Sequence, residues 1–185
     1  MAFSLPPRGV EVVLLALVLV AAVYDIRLRR IPNWLTVGGV LAGLGLNTFL
    51  GLPGWGGVLF SLKGLALGFG VYFALYSIRA MGAGDVKLMA AVGSLVGYAD
   101  WFAIFIATAI IGGILSVIVA VAKGRLKKTF WNLGFILGEM KRGRPAYIER
   151  EELDVKNPKS VGLPHGAVIA VGTIFYLALS AHFVS

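Results

Sequence analysis

Six apolar runs, each nearly free of charged residues, follow one another along the chain and are separated by short polar connections. They cover residues 9–24, 34–50, 56–78, 86–98, 101–122 and 163–184. A helix rises about 1.5 Å per residue and a bilayer core is about 30 Å thick, so roughly 20 apolar residues cross a membrane. The pattern therefore predicts an all-α fold with six transmembrane helices, the first of them a true span and not a removable signal peptide.

Basic residues fall in alternate connections. The connection after the first run carries three arginines, the one after the second run (51–55) carries no charge, and the one after the fifth carries ten lysines and arginines. Loops rich in lysine and arginine stay in the cytoplasm. We therefore expect a single domain over residues 1–185, in the cytoplasmic (inner) membrane, with both termini outside.

The long connection 123–162 is the most polar part of the chain. Within it, residues 124–142 mix large apolar side chains with lysines and arginines. That mixture is typical of a helix that lies on a membrane surface and contacts anionic lipid. We predict one interfacial helix there, on the cytoplasmic leaflet.

Composition agrees with a membrane protein and excludes several chemistries. Hydrophobic residues make up 58% of the chain and charged residues 14%, against about 25% charged in soluble domains. The net charge of +8 is explained by the basic connections, so we expect no nucleic-acid partner. Cysteine is absent, which excludes disulfides, a cysteine nucleophile and a cysteine-bound zinc. Neither histidine has a second ligand at metal-binding spacing, so no metal site is predicted.

Asp25 stands at the end of the first apolar run. A helix carboxyl end is partly negative, so an anion is unfavourable there and needs a reason. A structural reason is an ion pair with Arg27 or Arg29. A functional reason is equally open, because ionisable groups inside a membrane are usually functional.

Asp85 follows Gly82, Ala83 and Gly84 and precedes the fourth apolar run. Its structural interpretation is a helix N-cap. An ordinary cap does not need two nearby glycines, and Lys87 in the first turn opposes the helix dipole. Gly82 and Gly84 would instead let the backbone line a cavity and a substrate chain come close.

The alternation of basic and uncharged connections puts Asp25 and Asp85 on the same, cytoplasmic side. Both lie at the inner ends of runs that are too short to reach the surface. Two neighbouring carboxylates share a proton, so that one acts as a base on water while the other protonates a peptide carbonyl. This is the chemistry of aspartyl peptidases, which require neither metal nor cofactor. The sequence therefore predicts a catalytic pair in a sunken pocket.

Two segments resemble the signature regions of type IV prepilin peptidases: Asp25 with residues 29–33 (RRIPN), and residues 82–88 (GAGDVKL). Residues 163–167 (LPHGA) are similar to the Pro-Gly start of that family's last helix, with His165 where an aromatic residue is expected. The resemblance implies that Asp25 and Asp85 are catalytic. It also implies a prepilin substrate, cut where a short basic leader meets the hydrophobic N-terminal helix, and pilus or type II secretion machinery as partners.

The chain departs from the larger enzymes of that family, which carry a zinc-binding cytoplasmic domain and N-methylate the new terminus. With no cysteine present, the chain resembles the compact peptidases of tight-adherence (Flp) pilus systems. Archaeal preflagellin peptidases and presenilin share the GxGD motif, whereas the Ile31-Pro32-Asn33 element favours the bacterial group.

Other residues and other functions stay open. Pro32 and Asn33 are expected to start the second helix and shape the site, with direct substrate contact as an alternative. Lys87 can orient Asp85, bind a substrate carbonyl or anchor the helix at the interface. Buried carboxylates also serve proton- or cation-coupled transporters, and a non-catalytic assembly subunit is a third possibility.

Overall fold

The computed structural model describes residues 6–52, 54–124, 131, 138 and 163–184. Over these residues it is helical and contains no strand, so the all-α prediction is confirmed there. The helices are α1 (Arg8–Leu28), α2 (Asn33–Leu46), continued by a π-helical turn (Asn47–Gly51), α3 (Trp55–Ser77), α4 (Ala83–Ala122) and α5 (His165–Val184). Within the described part of the chain, five helical stretches are long and apolar enough to cross a membrane. The predicted interfacial helix lies almost entirely outside the described residues, and the single domain over 1–185 stays a prediction.

Helix α1 continues four residues beyond the apolar run, from Tyr24 to Leu28. It stops at Arg29, whose left-handed backbone (φ 52°, ψ 31°) allows its N–H to donate to the Asp25 carbonyl at 3.0 Å. With 21 residues, α1 is about 31 Å long and matches a full bilayer core. The expectation that this span is too short is therefore wrong. Asp25 lies one turn inside the helix end.

Helix α4 has 40 residues, about 60 Å if straight, which is twice the bilayer core. It is not straight, because Gly97 has a non-helical backbone with φ 74° and ψ −177°. The indole Nε1 of Trp101 donates to the Met89 carbonyl at 3.0 Å. A straight helix would separate these residues by about 18 Å along its axis. The chain therefore folds back at Gly97.

Contacts with α3 give the direction of each half of α4. Gly64 lies against Gly93, and Gly68, four residues later, lies against Met89, so residues 83–97 run antiparallel to α3. The ring of Tyr72, one further turn along α3, contacts Trp101 and Phe105 in the second half of α4. Gly68 itself approaches the Trp101 indole, so residues 98–122 run parallel to α3.

A buried polar cluster joins three helices near the Gly97 reversal. The Asn47 amide nitrogen donates to Ser61 Oγ and to the carbonyls of Ser94 and Leu95, each at 3.0 Å. Ser61 Oγ in turn donates to the Gly43 carbonyl at 3.1 Å. With no water in a bilayer core, such bonds satisfy groups that would otherwise be costly. The cluster joins α2, α3 and α4 and thereby fixes their registers.

Gly64 should be the most sensitive position between α3 and α4. A Cβ there would meet the Gly93 carbonyl oxygen, so Gly64→Ala must push two backbones apart. We expect a loss of about 1–3 kcal/mol in unfolding free energy, as for other overpacked sites. The control is Gly70→Ala on the same helix, where nothing lies within 4 Å. Thermal unfolding in detergent compares the two, and equal stabilities would contradict the described contact.

The ends of the helices meet at one end of the bundle. The Lys87 ammonium donates to Asn33 Oδ1 at 2.9 Å and joins the start of α2 to the first turn of α4. The Gly166 N–H donates to Asp25 and joins the start of α5 to the last turn of α1. This shared end contains both aspartates singled out in the sequence.

Candidate active site

Asp25 is held by the last helix. Its side chain lies in the final turn of α1 and is 9% exposed. Its Oδ2 accepts a 2.7 Å hydrogen bond from the backbone N–H of Gly166, at the start of α5. A Cβ at Gly166 would lie 3.1 Å from both the Cβ and Oδ2 of Asp25, so glycine permits this approach. A free helix N-terminal N–H is a favourable partner for a carboxylate.

Asp85 is held by its own helix start. Gly82, with an extended backbone, is the N-cap of α4, and Asp85 is the third residue of the helix. The interpretation of Asp85 as the N-cap is therefore wrong by three positions. Its Oδ2 accepts the Gly82 N–H at 3.1 Å, and the residue is 8% exposed. The carboxylate is placed at the positive end of the helix dipole.

The surroundings of the two aspartates share one side chain, that of Ile31. Ile31, in the connection between α1 and α2, lies between the elements that carry them. A Cβ on Gly84 would contact the Ile31 side chain at 3.4 Å, and one on Gly166 would do so at 3.2 Å. The fold thus brings the predicted pair to one buried place.

Gly82 and Gly84 flank Asp85 in different ways. A Cβ on Gly82 would meet Asp85 Oδ2 at 3.2 Å and would crowd the hydrogen bond. A Cβ on Gly84 would make only ordinary contact with Ile31. The protein's own packing therefore explains Gly82 better than Gly84, and Gly84 as a place of close substrate approach stays a prediction.

Pro32, Asn33 and Lys87 lie beside the site. Pro32 is the N-cap of α2 and Asn33 is its first residue, as expected for residues that start this helix. Lys87 bonds the Asn33 side chain in an exposed position, and this bond ties α2 to α4 next to Asp85. Substrate contact by any of the three stays a prediction.

Three residues near the aspartates escaped the sequence analysis as site residues: Ile31, Tyr72 and His165. Tyr72 is 1% exposed and in electrostatic range of Asp85. His165 is in electrostatic range of Asp25, and its ring lies 6.2 Å from that of Tyr72. The sequence carried two signals, which were Ile31 inside a segment that resembles the family and a histidine where that resemblance predicted an aromatic residue. Tyr72 left none.

The described residues contain no group of three or more histidine, aspartate or glutamate side chains placed to hold a metal ion. The groups gathered at this end of the bundle are two carboxylates, backbone amides, the Lys87 ammonium and the two aromatic side chains. Such a set can move protons and bind a peptide.

The chain is a multi-pass membrane protein of the peptidase class. It belongs to the type IV leader peptidase family, whose model matches residues 12–117, more than half of the chain. The matched range contains Asp25, Asp85 and the connection between α1 and α2, and it ends before α5. Neither the curated proteins nor the solved structures contain a significant match to the chain.

Proposed function

We propose that this chain is an intramembrane aspartyl endopeptidase that removes the short basic leader of prepilins at the cytoplasmic face of the membrane. The observation that carries the proposal is the pair Asp25 and Asp85. Both are buried, both lie at the same end of the bundle, and each has one oxygen held by a backbone N–H. Intramembrane carboxylates are costly and are retained where they have a function.

The proposed reaction is hydrolysis by water held between the two side chains. Two nearby carboxylates do not both ionise easily, so they share one proton. The ionised aspartate removes a proton from water, which attacks the peptide carbonyl, and the other donates its proton to the carbonyl oxygen. Collapse of the intermediate delivers a proton to the leaving amine. The Gly166 and Gly82 amides hold Oδ2 of each aspartate, and the second oxygen of each serves the proton transfers.

The depth of the site suits the proposed substrate. A prepilin carries a basic leader followed by a hydrophobic helix, so its scissile bond lies at the membrane boundary when the helix is inserted. Asp25 lies one turn inside the end of α1, which is where we expect this boundary to be. The absence of cysteine supports a compact peptidase of the tight-adherence (Flp) type, without zinc-dependent N-methylation.

We propose six crossings and both termini outside, in the inner membrane. The reversal at Gly97 supports two crossings within α4, and the basic connections support the orientation. The basic stretch 123–162 would then contact anionic lipid. The active site would face the cytoplasm, where prepilin leaders and pilus or type II secretion machinery reside.

Single cysteines test this arrangement, since the native chain has none. A membrane-impermeant thiol reagent added outside should label Leu52→Cys and Ala99→Cys but not Ala80→Cys. Leu52 and Ala80 lie in successive connections, and Ala99 follows the Gly97 reversal; all three are exposed. Labelling of Ala80→Cys from outside would contradict the proposed orientation. Failure to label a folded Ala99→Cys would contradict the proposed sixth crossing.

The function is tested by mixing the purified chain with a prepilin and measuring product mass. We expect one cut between the leader and the hydrophobic helix. A proton- or cation-coupled transporter would leave the prepilin intact. Intact prepilin with a folded, monodisperse preparation would therefore contradict the proposal.

A further inference from the structure

Tyr72 and His165 lie beside the two aspartates and have no part in the reaction proposed above. Their ring centroids are 6.2 Å apart and their planes are tilted by 43°. His165 directly precedes Gly166, whose N–H donates to Asp25 at 2.7 Å. Tyr72 lies one turn after Gly68, which contacts Met89, and Met89 lies one turn after Asp85 on the antiparallel half of α4. The aromatic pair therefore extends from one carboxylate to the other.

The imidazole of His165 holds an unpaired polar atom. Its Nε2 is buried and has no hydrogen-bond partner within the described part of the chain. Buried polar atoms almost always have a partner, so an exception calls for an explanation. An unpaired nitrogen is especially unfavourable inside a membrane domain, where water is scarce. A partner supplied by a bound substrate would satisfy it.

The backbone fixes the position of this imidazole relative to the site. His165 is the first residue of α5, and the next residue, Gly166, donates its N–H to Asp25 at 2.7 Å. The close approach of Gly166 to Asp25 leaves little freedom for the residue beside it. The neighbouring ring of Tyr72, which is almost fully buried, restrains the imidazole as well.

We propose that His165 is a substrate-positioning residue whose Nε2 hydrogen-bonds the backbone of the peptide beside the bond to be cut. The inference rests on the peptidase function proposed above and adds a specific contact to it. A peptide that is extended for cleavage has unpaired N–H and C=O groups, which need partners in an apolar site. An imidazole nitrogen can donate to the carbonyl or accept from the N–H.

Three substitutions separate this contact from a packing role. His165→Phe keeps a ring against Tyr72 and removes the polar atom. His165→Gln loses the ring but places an amide nitrogen near the position of Nε2, whereas His165→Asn reaches only the position of Nδ1. Cleavage of a prepilin is measured over a range of substrate concentrations in mixed micelles, with thermal unfolding as the check on folding.

We expect His165→Phe to raise KM about tenfold, the effect of one hydrogen bond, and to change kcat by less than about threefold. A contact made equally in the bound substrate and in the transition state acts on KM. His165→Gln should stay within about threefold of the parent, and His165→Asn should behave like His165→Phe. If His165→Phe fails to fold, the comparison of His165→Gln with His165→Asn tests the proposed contact.

Two results would overturn the inference. One is a folded His165→Phe with the parent KM, and the other is equal impairment of the glutamine and asparagine variants. Asp85→Asn is assayed in parallel to separate the two proposals. If Asp85→Asn is inactive while the His165 variants match the parent, only the positioning role fails. If Asp85→Asn cleaves like the parent, the peptidase mechanism itself fails.

Discussion

Replacing either Asp25 or Asp85 with asparagine should lower prepilin cleavage by about 10³-fold or more, because each residue supplies one half of the acid–base chemistry. Asparagine has nearly the same volume, and its side-chain oxygen can still accept the Gly166 or Gly82 N–H. It also removes a costly buried charge. Both variants should therefore insert and fold, and the loss should appear in kcat.

The double variant should be little worse than either single one, since residues that act as a unit are strongly non-additive. Asp100→Asn is the matched control. Asp100 is also partly buried and bonds Tyr176, but it lies near the Gly97 reversal at the other end of the bundle. We expect parental cleavage from it. Additive losses of cleavage in the double variant of Asp25 and Asp85, or a loss of similar size in Asp100→Asn, would contradict a catalytic dyad.

Gly166→Val should lower kcat/KM by about 10²-fold although both aspartates are retained in the sequence. Any Cβ at this position would meet Asp25 at 3.1 Å and Ile31 at 3.2 Å, so the carboxylate or the start of α5 must move. A misplacement of about 1 Å in a catalytic group costs on this order. The activity that remains in Gly166→Val would distinguish a displaced Asp25 carboxylate from the missing one in Asp25→Asn.

Gly113→Val controls for the general effect of valine in place of a helical glycine. Gly113 is exposed in the second half of α4, and nothing lies within 4 Å of a Cβ there. Cleavage rates and unfolding temperatures are compared for the two variants. Parental activity from a folded Gly166→Val would show that the Gly166 contact does not position Asp25.

The presence of the helices could be predicted from the sequence, because a long apolar run is by itself enough to indicate a membrane-spanning helix. The end of α1 and the break in α4 could not be placed in this way. The run through Tyr24 ends where Asp25 and Arg27 lower the hydropathy, yet α1 continues to Leu28 because the backbone stops only at the left-handed Arg29. Hydropathy indicates whether a segment lies in lipid or in water, whereas hydrogen bonding decides where a helix ends.

The break within α4 shows the same difference. The sequence predicts an interruption between Tyr98 and Trp101, and the structure has its reversal at Gly97. A glycine with positive φ can turn the chain without any polar residue, so the hydropathy pattern shows the interruption at Asp100 but not the residue that turns the chain. The contact of Trp101 with Met89 reveals the reversal only in three dimensions.

Asp25 and Asp85 were predictable because each contradicts its surroundings: an anion at a helix carboxyl end, and an acid between glycines and an apolar run. Tyr72 was not, because one tyrosine inside an apolar run of α3 is an ordinary membrane residue. His165 stood out only against the family resemblance. Its closeness to Asp25 depends on the antiparallel packing of α1 with α5, which no local pattern encodes.

The most direct test of the aspartyl mechanism is an endpoint assay with excess folded Asp85→Asn, in the detergent used for the parent. Product mass is measured after a time in which the parent converts all of the prepilin. The mechanism predicts intact prepilin with the variant and one leader-peptide cut with the parent. Cleavage of the same bond by Asp85→Asn would contradict it.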